Sequence, residues 1–171
     1  MAPARFVADS SLDWLARPLR FLGFDVLTIR GARLEELYES ARREGRVVLT
    51  SSRRHPRRWA AVPAIAVARD NAAGTLRTLV ADHDPMGAPF SRCPECNTAL
   101  QSRHPFEARG EVPGRVLRAS ATLRYCPTCG KWYWEGTHVA RIRARLEQAL
   151  GRPLENGPKP PASAAPPGPA S

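Results

Sequence analysis

The sequence has few lysines, only four cysteines and no long apolar run. No stretch approaches the roughly 20 consecutive apolar residues that a membrane-spanning helix needs, so we expect no membrane partner. The residues before Asp9 carry one positive charge and almost no apolar run, unlike an export signal. We therefore expect a cytoplasmic protein.

The positive charge comes almost entirely from arginine. The chain has 26 basic and 16 acidic residues, a net charge of +10, and only Lys131 and Lys159 are lysines. Around Glu44, positions 42 to 58 hold a dense group of arginines: Arg42, Arg43, Arg46, Arg53, Arg54, Arg57 and Arg58. Such a segment is either a solvated basic face or a surface that contacts phosphates. The pattern leaves both interpretations open.

The four cysteines form two pairs with a two-residue spacer, Cys93 with Cys96 and Cys126 with Cys129. This spacing is typical of a tetrahedral zinc site, because both thiolates of a pair can reach one ion from a tight turn. Two disulfides are the alternative, which an intracellular chain disfavours. Four cysteine ligands leave no open position for water or substrate, so we predict a structural Zn²⁺.

Apolar runs and amphipathic segments alternate in the first half of the chain. The runs at 6–8, 24–29, 46–50 and 64–68 predict strands, and the segments after Asp9, at 34–44 and at 75–81 predict helices. This alternation is typical of an α/β fold with a parallel sheet. We predict an α/β domain over 1–84, a four-cysteine unit with a C-terminal helix over 85–150, and a disordered Pro/Ala-rich tail over 151–171.

Polar residues follow three of the predicted strands, where an open parallel sheet has its functional crevice. They are Asp9, the run Thr50-Ser51-Ser52-Arg53, and the run Arg69-Asp70-Asn71. Carboxylates grouped at such an edge would bind Mg²⁺ or Mn²⁺. An acid directly after a strand is also a common helix cap, so Asp9 has two interpretations, and we expect Ser10 or Ser11 to cap the first helix.

Several segments together resemble the Mut-7 C-terminal ribonuclease domain family, which has a PIN-like nuclease fold with a C-terminal zinc ribbon. The resemblance extends over about residues 5 to 147 and rests on these segments: Arg5-Phe-Val-Ala-Asp9-Ser-Ser-Leu12, Glu44-Gly45-Arg46-Val-Val-Leu-Thr50, Arg92-Cys93-Pro-Glu-Cys96-Asn97, and Cys126-Pro-Thr-Cys129 with Lys131-Trp-Tyr133-Trp134-Glu135-Gly136. It implies a three-layer parallel sheet with helices on both faces, followed by the ribbon and a final helix.

The resemblance implies a metal-dependent ribonuclease in which Asp9 is the first metal-binding acid. Leu34 and Ser52 stand where the family's pattern has aspartates, so we expect Glu35 or Glu36, and Asp70, to supply the missing carboxylates. The residues expected to contact RNA phosphates are Arg17, Arg20, Arg53 and Arg54.

The alternative is a catalytically degenerate RNA-binding or protein-interaction module. We interpret the aromatic run at 132–134 as packing rather than base stacking. The oligomeric state is left open.

Overall fold

Four short parallel strands form the first sheet of this computed structural model, which describes residues 3–155. The strands are β1 (Arg5–Asp9), β2 (Asp25–Ile29), β3 (Val47–Thr50) and β4 (Ala64–Ala66), arranged in the order β2-β1-β3-β4. All three pairings are parallel. The predicted α/β fold with a parallel sheet is therefore confirmed. The predicted tail lies outside the described residues from position 156 onward.

Three helices accompany this sheet: α1 (Asp13–Phe21), α2 (Leu34–Glu44) and α3 (Ala72–Asp82). Residues 34–44 form α2 as predicted. The helix ends at Gly45, which has a left-handed conformation that glycine adopts easily. The predicted serine cap of the first helix is wrong. The side chain of Asp9 accepts the N–H of Ser11 and begins a short 3-10 turn, Ser10–Leu12, ahead of α1.

The two faces of the sheet bury separate hydrophobic clusters, because alternate residues of a strand point to opposite sides. Phe6 and Ala8 of β1 belong to a cluster with residues of α1 and α3, whereas Val7 packs with Leu37 and Tyr38 of α2. The sheet therefore lies between α2 on one side and α1 with α3 on the other.

A second, antiparallel sheet follows the first cysteine pair. Its strands are β5 (Gln101–Arg103), β6 (Leu123–Tyr125) and β7 (Trp132–Tyr133), in the order β5-β6-β7, with helix α4 (Gly114–Ala119) between β5 and β6. Ala108, Val112 and Leu123 form a small core there, against which Trp132 and Trp134 pack. The aromatic run thus packs on this small core and not on the parallel sheet, and the Trp132 and Trp134 rings stay partly exposed.

The last helix, α5 (Thr137–Leu150), packs back on the parallel sheet rather than on the small core. Leu146 and Leu150 are buried in the cluster that contains Phe6 and Leu79. The division of the chain after residue 84 stays a prediction, and this packing crosses it. No helix within residues 3–155 has the length and apolar character to cross a membrane.

Candidate functional site

A cleft of about 220 Å³ lies at the carboxyl edge of the parallel sheet. Ala8 pairs with Leu49, so β1 and β3 end side by side at Asp9 and Thr50. The lining combines one carboxylate, four hydroxyl groups and several apolar side chains. The carboxylate is that of Asp9, the hydroxyl groups are those of Ser11, Thr50, Ser51 and Ser52, and the apolar side chains include Leu34 and Leu37. The fold thus brings together two of the three strand-end segments that the sequence indicated.

Asp9 is a half-exposed carboxylate that is held in place by its own turn. Its Oδ1 accepts the backbone N–H of Ser11 at 2.8 Å. Hydrogen bonds from the side chain and backbone of Ser11 hold the pKa of Asp9 below its ordinary value, so the group is ionised at neutral pH. A carboxylate has about four acceptor positions, and this bond leaves others open to the cleft. Both interpretations of Asp9, helix cap and ligand, are therefore compatible.

The hydroxyl side of the cleft is a tight turn that leads into the basic segment. The Thr50 hydroxyl accepts the N–H of Ser52 at 3.0 Å, and the Ser52 hydroxyl accepts the N–H of Arg54 at 3.1 Å. Arg53 and Arg54 follow directly and are exposed. Neither makes a side-chain ion pair within the part of the chain that the structure describes. Two exposed, unpaired cations of the described chain therefore lie beside the cleft.

The other predicted acids do not line this cleft. The Glu36 carboxylate accepts the N–H of Arg33 at 2.9 Å and pairs with its guanidinium at 3.1 Å, so it serves the first turn of α2. These hydrogen bonds, first of all the one from the Arg33 backbone, lower the pKa of Glu36. Glu35 is exposed on the same turn. Asp70 follows β4, two strands from β1, which corresponds to about 10 Å at ordinary strand spacing.

Two of the predicted phosphate contacts are already engaged within the protein. Arg17 on α1 forms an ion pair with Glu95, and both side chains are half-exposed. Arg20 is only 1% exposed. Its guanidinium donates to four oxygens: Val26 O at 2.9 Å, Thr28 Oγ1 at 2.9 Å, Pro94 O at 2.8 Å and Glu95 O at 3.2 Å. Arg20 therefore cannot contact a phosphate, and it instead ties α1 and β2 to the first cysteine pair.

The four cysteines converge on one point, as their spacing predicted. Their sulfur atoms lie within 4.8 Å of one another, and all four thiols are free. The Cys93 and Cys129 sulfurs are 3.9 Å apart, and those of Cys96 and Cys126 are 3.4 Å apart. A tetrahedral ion with bonds of about 2.3 Å would place its sulfur ligands about 3.8 Å apart. The cluster therefore fits a metal ion, and the geometry does not favour the disulfide alternative.

Each cysteine pair sits in the same kind of turn. The residues after the second cysteine, Asn97 and Gly130, have φ of 71° and 67°, and their N–H groups donate to the carbonyls of Cys93 and Cys126 at 2.9 Å. The Tyr133 hydroxyl lies 3.1 Å from the Cys93 sulfur. Burial, together with the neighbouring Cys93, raises the pKa of Tyr133, so the hydroxyl keeps its proton and can donate it to a Cys93 thiolate. This contact orients a predicted ligand.

A buried charge network at the opposite edge of the sheet was not anticipated from the sequence. Asp25, at the start of β2, accepts from Arg46 at 2.7 Å and from the Asn97 side chain at 2.8 Å. Arg5 and Arg92 approach its other oxygen at 3.5 and 3.7 Å. No local pattern marks these residues as partners, because they come from distant parts of the chain.

These observations define an α/β protein with a polar cleft at the carboxyl edge of its sheet and a four-cysteine cluster that could hold a metal ion. Residues 4–146 match the family model described as Mut7-C RNAse domain. Because this match covers most of the 171 residues, the chain belongs to that family. Membership suggests a nuclease-like function and an interaction with RNA. Comparisons with curated proteins and with solved structures gave no match.

Proposed function

We propose that this protein is a metal-dependent ribonuclease with a PIN-like fold, and that its reaction takes place in the cleft beside Asp9. The observation that carries this proposal is the ionised Asp9 carboxylate at the carboxyl edge of the sheet, next to the hydroxyl groups of Thr50 and Ser52. Family membership supports hydrolysis of an RNA phosphodiester as the reaction. The position agrees with the general placement of active sites in open α/β sheets.

The residues at the cleft fit a hard divalent cation that is held only partly by protein. Asp9 would be its charged ligand, with the Ser51 or Ser52 hydroxyl as a neutral one. Mg²⁺ is commonly held in this way, by one or two carboxylates together with substrate phosphates and water. When bound, Mg²⁺ or Mn²⁺ would supply Lewis-acid chemistry at the phosphodiester. Glu36 could become a further ligand of this cation only after it gave up its hydrogen bonds to Arg33.

The chain's own residues would bind and orient the RNA around this point. Arg53 and Arg54 leave the turn that begins at Thr50, so their guanidinium groups can hold phosphates on either side of the bond to be cut. Asp9 is fixed by Ser11, which keeps one of its oxygens from rotating away. The apolar side chains of Leu34 and Leu37 restrict water at the base of the cleft.

The cysteine cluster would hold Zn²⁺ in a structural zinc ribbon. Four thiolate ligands complete a tetrahedral shell and leave no position for a substrate. The surrounding strands β5, β6 and β7 are short and enclose only a small core, so a metal is expected to supply much of their stability. The ribbon would then have a structural role and no catalytic one. It is joined to the parallel sheet by the hydrogen bond from Arg20 to Pro94 O and by the one from Val26 N–H to Asn97.

The test of the proposal is cleavage of a labelled single-stranded RNA in Mn²⁺ by the wild-type protein and by Asp9→Asn. Asparagine can still cap the Ser10–Leu12 turn, so the fold should persist while the anionic ligand is lost. We expect cleavage to fall at least about 100-fold. The matched control is Asp82→Asn, the same change at an exposed position at the end of α3. Equal cleavage by Asp9→Asn and wild type would overturn the proposal.

A second candidate function is a non-catalytic RNA-binding module. It is favoured by the absence of a second carboxylate from the cleft lining, since Thr50, Ser51 and Ser52 carry no charge and Glu36 is engaged with Arg33. This alternative predicts RNA binding that weakens steeply with salt and does not respond to Asp9→Asn. Cleavage by the wild-type protein that disappears in Asp9→Asn would exclude it.

A further inference from the structure

A second, larger groove lies at the other end of α1 from the Asp9 cleft. Its volume is about 740 Å³, and it is bordered by the end of α1, the loop before Cys93, strands β6 and β7, and the start of α5. This volume lies within the range of about 300–1,000 Å³ that is usual for ligand sites. Helix α1 begins four residues after Asp9 and ends at Phe21, which lines the groove. The two sites are thus about one helix length, ~13 Å, apart.

The groove carries an excess of positive charge. Three arginines line it, Arg92, Arg124 and Arg143, against the single carboxylate of Glu135. Arg92 is partly committed, because it lies near Asp25 and donates to Asn97 O at 2.8 Å. Arg124 and Arg143 make no ion pair within residues 3–155. The charge of the lining is complementary to a polyanion.

Aromatic rings form the walls between these cations. Phe21 and Phe90 lie with their ring centroids 5.5 Å apart, and Tyr133 and Trp134 also line the groove. The guanidinium of Arg143 lies over the Phe90 ring at 5.0 Å. Alternating aromatic surfaces and arginines are the combination by which proteins hold single strands, since bases stack on the rings while cations contact the phosphates.

We propose that this groove binds unpaired nucleotides of the RNA that flank the segment in the Asp9 cleft. The inference rests on the proposed function in that it takes RNA as the substrate. A base within a duplex is already stacked and paired, so it cannot stack on Phe90 or Trp134, whereas an unpaired base can. The groove therefore selects single-stranded over double-stranded RNA, and it does so away from the site of cleavage.

The test measures binding of a labelled oligouridine to full-length protein in the Asp9→Asn background, so that neither cleavage nor its absence affects the result. The groove variant is Arg124→Gln with Arg143→Gln, which keeps a polar side chain at both positions and removes their charge. The matched control is Arg141→Gln with Arg145→Gln, two exposed positions on α5 outside the groove. Unfolding midpoints of both variants establish that the fold is retained.

We expect the groove variant to raise the Kd roughly 10- to 30-fold at about 0.1 M salt and to lower the salt slope by about 1.4, since each phosphate contact on a single strand contributes about 0.7. The control should shift the Kd by less than about threefold. An abasic strand of equal length and a blunt RNA duplex should bind more weakly than oligouridine, because neither offers unpaired bases to stack.

Three results would overturn the inference. Groove and control variants could weaken binding equally, in which case only overall charge matters. The blunt duplex or the abasic strand could bind as tightly as oligouridine, which would leave the aromatic side chains without a role. Oligoaspartate could compete as well as RNA of equal charge, which would identify an acidic peptide as the occupant. Loss of cleavage in Asp9→Asn is measured separately, so the inference and the proposed function can fail independently.

Discussion

Asn97 joins the first cysteine pair to the parallel sheet through Asp25. Its side-chain nitrogen donates to Asp25 Oδ1 at 2.8 Å, and its oxygen accepts the N–H of Val26 at 2.9 Å. Both Asn97 and Asp25 are 8% exposed. Because β2 is an edge strand, Val26 would otherwise have no partner for this N–H on its open side. The turn that presents Cys93 and Cys96 is therefore also part of the sheet's hydrogen bonding.

Replacement of Asn97 by glycine should destabilise the whole protein. Glycine accepts the φ of 71° without strain, so the substitution removes only the side-chain hydrogen bonds. The buried N–H of Val26 would lose its partner, at about 1–3 kcal/mol, and Asp25 Oδ1 would lose one of its two donors while Arg46 remains. We expect the free energy of unfolding to fall by about 2–4 kcal/mol in denaturant titrations of the metal-loaded protein.

The second cysteine pair provides a matched control for this change. Gly130 has φ of 67°, and a Cβ placed there would meet nothing closer than the Tyr125 hydroxyl at 3.9 Å. Asparagine tolerates this backbone region, so Gly130→Asn should change the stability by less than about 1 kcal/mol. A loss in Asn97→Gly no larger than that in Gly130→Asn would show that the contact with Asp25 contributes nothing.

The stability of the protein in acid should depend on Asp25. Burial alone would raise the pKa of Asp25, but hydrogen bonds from Arg46 and Asn97 outweigh it and hold this pKa below its ordinary value. A carboxyl whose pKa is lowered by folding stabilises the protein above its unfolded pKa of about 4. This contribution is lost as the pH falls further, through the pKa of the folded state.

Asp25→Asn is the variant that isolates this effect. At neutral pH it should be less stable by about 3 kcal/mol, because Arg46 would keep its buried charge without this partner. Below about pH 4 the difference from wild type should shrink, since the wild-type carboxyl becomes neutral as well. Unfolding free energies of both proteins across this range measure the difference. A difference in stability that is independent of pH would contradict the prediction.

Tyr133 should control how tightly the cysteine cluster holds its metal. Its hydroxyl donates to the Cys93 sulfur at 3.1 Å, and loss of such an outer contact typically lowers metal affinity about 10- to 100-fold. We expect Tyr133→Phe to lose zinc to a chromophoric chelator at correspondingly lower chelator concentration. Tyr125→Phe is the control, because the Tyr125 ring packs at a tilt against Trp132, with centroids 4.7 Å apart, and the ring is kept in the variant. Equal zinc retention by the two variants would refute this role.

The parts of the fold that local signals determine were predictable, and those that distant contacts determine were not. Helix α2 begins and ends where its apolar periodicity and Gly45 predicted. The position of Glu36 also carried a usable signal, because the third helical residue commonly accepts the N–H at the start of a helix.

Arg20 illustrates the limit of such reasoning. Its sequence neighbours place it on α1, but its hydrogen-bond partners Pro94 and Glu95 lie more than seventy positions away. An arginine in a basic chain is usually exposed, so nothing nearby indicated burial. The same applies to Leu146 and Leu150, whose spacing predicted an apolar face without showing that the parallel sheet would cover it.

Ser52→Asp should strengthen the cleft as a site for divalent metal. Ser52 stands where the pattern of the Mut-7 C-terminal ribonuclease domain family has an aspartate, and it lines the same cleft as Asp9. Aspartate can accept the N–H of Arg54 as the serine hydroxyl does, so the turn should persist. A second carboxylate would add charge and a ligand, and we expect Mn²⁺ affinity to rise about tenfold or more.

Mn²⁺ titrations followed by electron paramagnetic resonance, together with the RNA cleavage assay, distinguish this effect from a general change in charge. Thr78→Asp is the control, because it adds the same charge at an exposed position of α3 outside both the Asp9 cleft and the larger groove. The gain should disappear when Ser52→Asp is combined with Asp9→Asn, since both carboxylates would contribute to one ion. Unchanged Mn²⁺ affinity in Ser52→Asp would mean that position 52 does not face the metal, and Asp9 would then act without help from β3.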